Sequence, residues 1–430
     1  MSNSAPERDV VSAARNGLIV LTAMNLLNYV DRYVVPAVFE SIRHSELHPT
    51  DTQLFSLTSA FLIVYTLSAP LFGSLGDRGS RPRLIAVGVG LWSIATALAG
   101  FARSYGALFI ARASVGVGEA AYGTVAPSLL ADYFPRSRRG RVFSIFFVAI
   151  PVGSALGYVI GGLVDTHWGW RRAFLAAGLP GLVLALVALR LWDPPRGLHD
   201  EGTSKALGDT RDTYAALLRN LPYLLTVAGY AAYTFALGGL ATVMPSFLQR
   251  VRGLPEAKAT VIFGLIAVTT GLAGTFLGGW LGDWLLARTR QAYLWLSGIA
   301  TLGAAPLVFL ALTASQPALY WTAVVVAEFL MFASTSPVNS AIVNEVPPEM
   351  RATAVAVSIF AIHTFGDVPA PMLMGVISDR SSLGEAVLIL PVAALSAGVI
   401  WVLAARRGEG EDGLRAGRDP QNDRTSKRPA

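Results

Sequence analysis

The chain has 430 residues, 53% of them hydrophobic and 14% charged, with a mean hydropathy of +0.51, whereas a water-soluble domain carries about a quarter charged residues. This excludes a large soluble domain, and the absence of cysteine removes disulfides, thiolate metal sites and cysteine nucleophiles. The formal charge of +6 sits in short loops and the tail, a topology signal rather than a nucleic-acid surface.

Residues 1–16 are polar. The first apolar run, about 17–39, is too long for a signal-peptide core and has no small-residue cleavage site after it, so it is expected to stay as a helix. Runs at about 53–75, 83–101, 105–131, 140–163 and 171–192 follow, each near the ~20 residues that cross a bilayer core. Residues 193–220, containing PPRGLHDEGTSKALGDTRD, read as a polar linker. Six more runs lie at about 221–248, 258–284, 291–313, 317–343, 351–377 and 384–405, and the tail 406–430 has the composition of a disordered segment. The expected fold is an all-α membrane protein of twelve transmembrane helices in two pseudo-symmetric six-helix bundles, 17–192 and 221–405.

With the N-terminus inside, the loops on that side and the tail hold 24 Lys and Arg residues against 8 on the other side. The bias predicts an inner cell membrane protein with both termini cytoplasmic. GSLGD at 73–77 matches GWLGD at 279–283, and FPRSRRGRVFSI at 134–145 lines up with VPPEMRATAVAV at 346–357, at offsets of 206 and 212. Parallel repeats of six helices describe a secondary transporter.

Ionisable groups inside a span cost at least ~2.5 kcal/mol each and normally face a cavity or a partner. Asp31 and Arg32 in NYVDRYVVP are about 100° apart around one helix and cannot neutralise each other side by side. Arg112 and Glu119 are seven residues apart and return to nearly the same face. Burial favours a neutral carboxyl and a neighbouring guanidinium favours a charged one, so Asp31 and Glu119 are candidate proton-coupling residues. Arg32 and Arg112 are candidates to pair with those carboxylates or with an anionic headgroup. The competing reading is a fixed ion-pair network that holds helices in register. Tyr29, Tyr65 and Tyr122 offer hydroxyls and apolar faces to an amphiphile, although tyrosines also pack helices. Glu328, His363 and Asp367 are secondary candidates in the second half, the last two four residues apart on one helix. Pro151, Gly153, Gly157, Gly161 and Gly162 form a small-residue ridge that permits close helix approach.

GSLGDRGSRPR, residues 73–83, resembles the signature loop of the major facilitator superfamily, with Ser80 where glycine is usual and Trp284 replacing the arginine in the second-half copy. NYVDRY, GEAAYGTVAPSLLADYF (118–134) and FSIFFVAIPVGSALGYVIGG (143–162) narrow the resemblance to the Spinster family of lipid transporters. The resemblance implies a lysophospholipid or sphingosine-phosphate-like substrate and, for some members, proton coupling. It also implies that Asp77 and Arg78, with Arg81 and Arg139 on the same side, form a network closing the cytoplasmic side.

No G-x-x-x-x-G-K-[ST] loop, HExxH or GxSxG occurs, so neither an ATP-driven pump nor an intramembrane hydrolase is expected. The reading is a proton-coupled secondary transporter of an amphiphilic lipid working by alternating access, not an enzyme. The alternative is a proton-coupled exporter of drugs or small organic anions. No cofactor or metal is expected; the partners are lipid substrate, protons and the bilayer, with no nucleic acid, and the sequence leaves the oligomeric state open with a monomer favoured.

Overall fold

Each long helix begins where the sequence supplies a start and breaks where it supplies a stop. In the computed structural model, which describes residues 7–199, 210–346 and 350–416, α1 (Glu7–Ala37) runs into the short α2 (Phe39–Arg43). α3 (Asp51–Arg78) opens on a capping box: Thr50 Oγ1 accepts from Gln53 N at 3.2 Å and Gln53 Oε1 accepts from Thr50 N at 3.0 Å, which satisfies two of the otherwise orphaned first amides. α4 (Arg81–Ala99) has Pro82 in its first turn, where the missing N–H costs nothing. α5 (Tyr105–Tyr133) is capped by Ser104, and α6 (Arg136–Trp168) stops at Gly169, whose φ of 84° suits glycine.

The chain continues through α7 (Trp170–Ala188), α8 (Thr210–Arg219), α9 (Leu221–Arg250), α10 (Glu256–Leu286), α11 (Ala292–Thr313) and α12 (Pro317–Asn344). α13 (Arg351–Ile362) leads through a π-helical turn, His363–Asp367, into α14 (Pro369–Arg380), followed by α15 (Leu383–Ala386) and α16 (Ile389–Ala416). Among the described residues there is no strand. Among the described residues, eleven helical segments are long and apolar enough to cross a membrane. The twelfth predicted span is α5, long enough at 29 residues, whose Arg112, Glu119 and Asp132 lower its apolarity. Those charges are buried against other helices, so lipid does not meet them.

Three stretches differ from the sequence reading. The span expected at 351–377 is interrupted by the π turn, which directly precedes Pro369 and Pro371; prolines lack the N–H that would continue the α ladder, and the chain widens there instead. Helix also extends to Ala416, eleven residues into the expected disordered tail, while residues 417–430 lie outside the described residues. The polar linker is partly structured at both ends, through the contacts of Asp193 described below and through α8.

The chain divides into two compact units. The first contains residues 1–205, 238–272 and 367–389, so α1 to α7 pack with the end of α9, the start of α10, and α14 with α15. The predicted glycine ridge forms its closest helix pair. A Cβ at Gly153 would lie 2.6 Å from Leu26 O, at Gly157 2.7 Å from Val30 O, and at Gly161 2.7 Å from Ala37 Cβ, so α6 lies against α1 backbone to backbone. Asn25 Nδ2 adds a hydrogen bond to Phe146 O at 2.9 Å. Gly157→Leu is therefore expected to lower stability by about 3 kcal/mol, read as thermal unfolding in detergent. Gly106→Leu, where nothing lies within 4 Å, should leave the midpoint near that of the parent. Equal midpoints for the two variants would refute the ridge as a packing device.

The second unit contains residues 206–237, 273–366 and 390–430. Its hydrogen bonds join helix side chains to backbone carbonyls: Tyr233 Oη donates to Met331 O at 2.7 Å, Trp401 Nε1 to Thr226 O at 3.0 Å and Tyr223 Oη to Ala354 O at 2.7 Å. Glycines again allow tight crossings, as at Gly298, where a Cβ would sit 2.7 Å from Val402.

Candidate functional site

Asp31, Arg32, Arg112 and Glu119 meet in one cluster between α1, α3, α4 and α5. Asp31 and Arg32 leave α1 in different directions, as their 100° separation requires. Arg112 Nη1 donates to Asp31 Oδ2 at 3.1 Å, and Thr96 Oγ1 donates to Asp31 Oδ1 at 2.5 Å. Arg32 Nε donates to Glu119 Oε2 at 2.7 Å. Two ion pairs thus cross between α1 and α5, each taking one partner from each helix. Seven residues, two turns of α5, separate Arg112 from Glu119, so the two pairs stack along one helix interface.

The pairs differ in environment. Asp31 and Arg112 are each 1% exposed, and Glu119 is fully buried, but the Arg32 side chain retains 20% exposure. Its guanidinium carbon lies 5.0 Å from the ring centres of Tyr29 and Phe61 and 5.1 Å from that of Tyr65. Three π faces hold a partly hydrated cation with one edge on Glu119. Arg112 shares the Phe61 ring at 5.7 Å. Glu119 Oε1 and Arg112 Nε are buried without a hydrogen-bond partner, which leaves an acceptor and a donor of the cluster unused. Chemically the arrangement offers two carboxylates, two guanidinium groups and unspent hydrogen-bonding capacity.

Tyr122 lies outside that set of contacts. Its hydroxyl donates to Leu21 O at 2.6 Å, and its ring packs on Trp92 at 5.4 Å and Phe146 at 6.5 Å, so it ties α5 to α1 as a packing residue. In the second half, Glu328 is buried on α12, while His363 and Asp367 begin and end the π turn. The turn alters their rotational relation from the α-helical one assumed for a four-residue spacing. It is packed closely: Gly366 lies against Thr234, and a Cβ there would be 2.8 Å from Ala231 O.

At the end of the first half where α3 and α4 join, Arg81 is 1% exposed. It contacts Asp132 through Nη1, donates from Nε to Asp193 Oδ1 at 2.8 Å, and from Nη2 to Pro194 O at 2.6 Å. Asp132 Oδ1 also accepts from Gly197 N at 3.0 Å, and Arg196 Nη2 donates to Gly76 O and Gly79 O, both at 2.7 Å. Arg78 is exposed, and the side chains of Asp77 and Arg139 lie outside the described residues. Arg81→Ala should weaken the fold by about 1–3 kcal/mol and release residues 193–197, detectable as faster limited proteolysis near the linker. Unchanged cleavage would remove this staple.

Sequence reasoning missed Thr96, Phe61, Asp132 and Asp193. Asp132 stands in the family-like stretch ending ADYF, and its charge near a helix end is the signal that was available. Thr96 and Phe61 are ordinary residues of apolar helices, and only the packing of α3 and α4 brings them to the cluster.

Residues 21–371 match the Major Facilitator Superfamily. The chain is 34% identical over 372 residues to Protein spinster of Drosophila melanogaster, covering 84% of this chain and 61% of that protein, so it spans less than two thirds of that relative. It is 35% identical over 396 residues to Protein spinster homolog 1 of Homo sapiens, covering 86% and 74%, and 34% identical over 401 residues to Protein spinster homolog 3 of Danio rerio, covering 88% and 80%. The crystal structure of a bacterial homolog to the human lysosomal transporter Spinster, inward-facing and unoccupied, matches with a TM-score of 0.84 at 24% identity over 92% of this chain and 97% of that one. A crystal structure of a bacterial homolog to the human lysosomal transporter Spinster in an inward-facing, occupied conformation gives 0.80 at 23% identity, covering 94% of this chain and 98% of that one. At those identities the structural likeness speaks for the fold.

Proposed function

The chain belongs to the Spinster family of the major facilitator superfamily, a secondary transporter and not an enzyme, and from that premise we propose that it couples protons to the movement of an amphiphilic lipid. The lipid is of the lysophospholipid or sphingosine-phosphate class. The observation that carries this reading is the Arg32 site: a partly exposed guanidinium, walled by Tyr29, Phe61 and Tyr65, shares one edge with buried Glu119. Such a cation can exchange a carboxylate for a phosphate, since guanidinium geometry matches both. Aromatic faces beside it suit the apolar part of an amphiphile.

Proton coupling follows from that exchange. When a phosphate takes Arg32, Glu119 loses its counter-charge in a buried setting, and burial then favours its protonated form. Asp31 with Arg112 and Thr96 is the companion pair, whose charge balance changes with the register of α1 and α5. Alternating access proceeds by rocking of two six-helix bundles, 17–192 and 221–405, in an inner membrane with both termini cytoplasmic. Asp77, Arg78, Arg81 and Arg139 form the cytoplasmic closure. Glu328, His363 and Asp367 belong to the second bundle's share of the path.

The test is uptake into proteoliposomes under an imposed pH gradient, comparing a lysophospholipid, a sphingosine phosphate and a cationic dye. One of the two lipids is expected to move, and Glu119→Gln is expected to uncouple its movement from the gradient. Transport of the dye alone would replace the lipid with a drug-like substrate, and normal gradient dependence in Glu119→Gln would end its coupling role.

A further inference from the structure

A groove of about 310 Å³ runs between the start of α1 and the end of α7, within the first unit, lined by Asn16, Ile19 and Val20 on one wall and Val187, Arg190 and Leu191 on the other. Its residues are ordered by depth. Asn16 and Arg190 form the rim, and both are exposed. Ile19 and Val20 lie three and four residues further along α1, and Val187 three residues back from Arg190, so the apolar floor begins about 4.5–6 Å below the rim. The wall closes on a tightened turn, in which Arg190 N donates to Val187 O and Leu191 N to Ala188 O, both at 3.0 Å.

Both walls are held by one side chain. Gly17, next to Asn16, lies against the Tyr133 ring and has no room for a Cβ. Across the groove, the Tyr133 hydroxyl donates to Trp192 O, and its ring stacks on that of Trp192 at 6.0 Å. One residue further on, Asp193 Oδ1 accepts from Arg81 Nε at 2.8 Å. The rim is therefore fixed by packed neighbours, and a ligand meets it without the cost of ordering backbone.

The cations at this end are not equally free. Arg81 and Arg196 spend donors on protein oxygens. Among the described residues, the Arg190 and Asn16 side chains have no hydrogen-bond or ion-pair partner, and none of the lining residues is acidic. Arg15, exposed beside Asn16, adds a second cation. Orientation in a membrane would account for an arginine at a helix end. It does not account for an apolar recess built beneath it.

We propose that this groove binds a phospholipid with a net negative headgroup, taken from the leaflet at the end where α1 begins. The Arg190 guanidinium and the Asn16 amide donate to the headgroup phosphate, and the first methylenes lie over Ile19, Val20, Val187 and Leu191. A zwitterionic headgroup brings its own cation, for which the rim has no carboxylate, so the charge selects an anionic lipid. The volume stands at the lower end of the ~300–1,000 Å³ of small-molecule sites, which suits a headgroup and the start of its chains while the remainder stays in the bilayer. Arg32 lies sixteen residues beyond Asn16 on α1, roughly 24 Å along the axis. The groove is thus separate from the Arg32 cluster and does not depend on the transport reading.

Native mass spectrometry of the full chain, titrated in detergent with phosphatidylglycerol or phosphatidylcholine, tests the site. Phosphatidylglycerol is expected to bind about tenfold more tightly, and Arg190→Gln to weaken it about tenfold through loss of a charge-assisted contact. Val187→Trp keeps every charge but fills the floor, and should also weaken phosphatidylglycerol. Arg407→Gln removes the same charge from an exposed position of the second unit and should leave the affinity unchanged. Excess inorganic phosphate should not displace the lipid. Equal affinity for the two lipids in the parent, a loss in Arg407→Gln as large as in Arg190→Gln, unchanged affinity in Val187→Trp, or displacement by inorganic phosphate overturns the assignment.

Discussion

Asp31→Ala is expected to lower stability by about 3–5 kcal/mol and to abolish transport, and adding Arg112→Met is expected to restore the first without the second. The reason is the asymmetry of buried pairs. Asp31 and Arg112 are each 1% exposed, so removing the carboxylate leaves a guanidinium stranded in an apolar setting with one nitrogen already unpartnered. Replacing the partner as well removes the stranded charge, and well-packed apolar substitutes for buried ion pairs are often neutral in stability. Thermal unfolding in detergent reads the first effect and proteoliposome transport the second. Transport that returns together with stability would make this pair a register clamp between α1 and α5, with no part in coupling.

Arg32→Lys keeps the charge but should weaken apparent affinity for a phosphate-bearing lipid about tenfold. A lysine ammonium is a point charge and cannot lie flat against Tyr29, Phe61 and Tyr65 while presenting an edge to Glu119. Exposed to partly desolvated cation–π contacts contribute about 0.5–2 kcal/mol each, and loss of about 1.4 kcal/mol is tenfold in affinity. The change belongs in KM for the anionic lipid, with Vmax less affected, because the charge that must move remains. Unaltered KM in Arg32→Lys would detach the aromatic cage from substrate recognition, and Phe61→Leu provides an independent reading of the same cage.

Much of the site was legible because helical geometry is rigid. Adjacent residues on an α-helix diverge by 100°, so Asp31 and Arg32 had to find separate partners, and the seven-residue spacing of Arg112 and Glu119 placed both on one face. Which partner each chose was not legible, since it depends on the register of α1 against α5. That register rests on contacts such as the Tyr122 hydroxyl of α5 on Leu21 O of α1, which are specific to the packed state. The span count was readable from apolar runs, including α5, where reading the stretch as a helix despite its charges required accepting that charges can be buried. The π turn at His363–Asp367 was not readable: prolines mark a disturbance, but its form depends on how the surrounding backbone absorbs the lost hydrogen bonds. The tail's helix to Ala416 was hidden by glycines and charges that resemble a disordered composition.

The anchoring of Asp193, Pro194, Arg196 and Gly197 by α3, α4 and α5 changes what the connection between the two halves of the sequence is able to do. The fixed stretch reaches Gly197 rather than ending with α7, and lies against Gly76 and Gly79. Residues inserted between Asp193 and Gly197 therefore break the contacts to Arg81, Asp132, Gly76 and Gly79, whereas residues added after that stretch leave them in place.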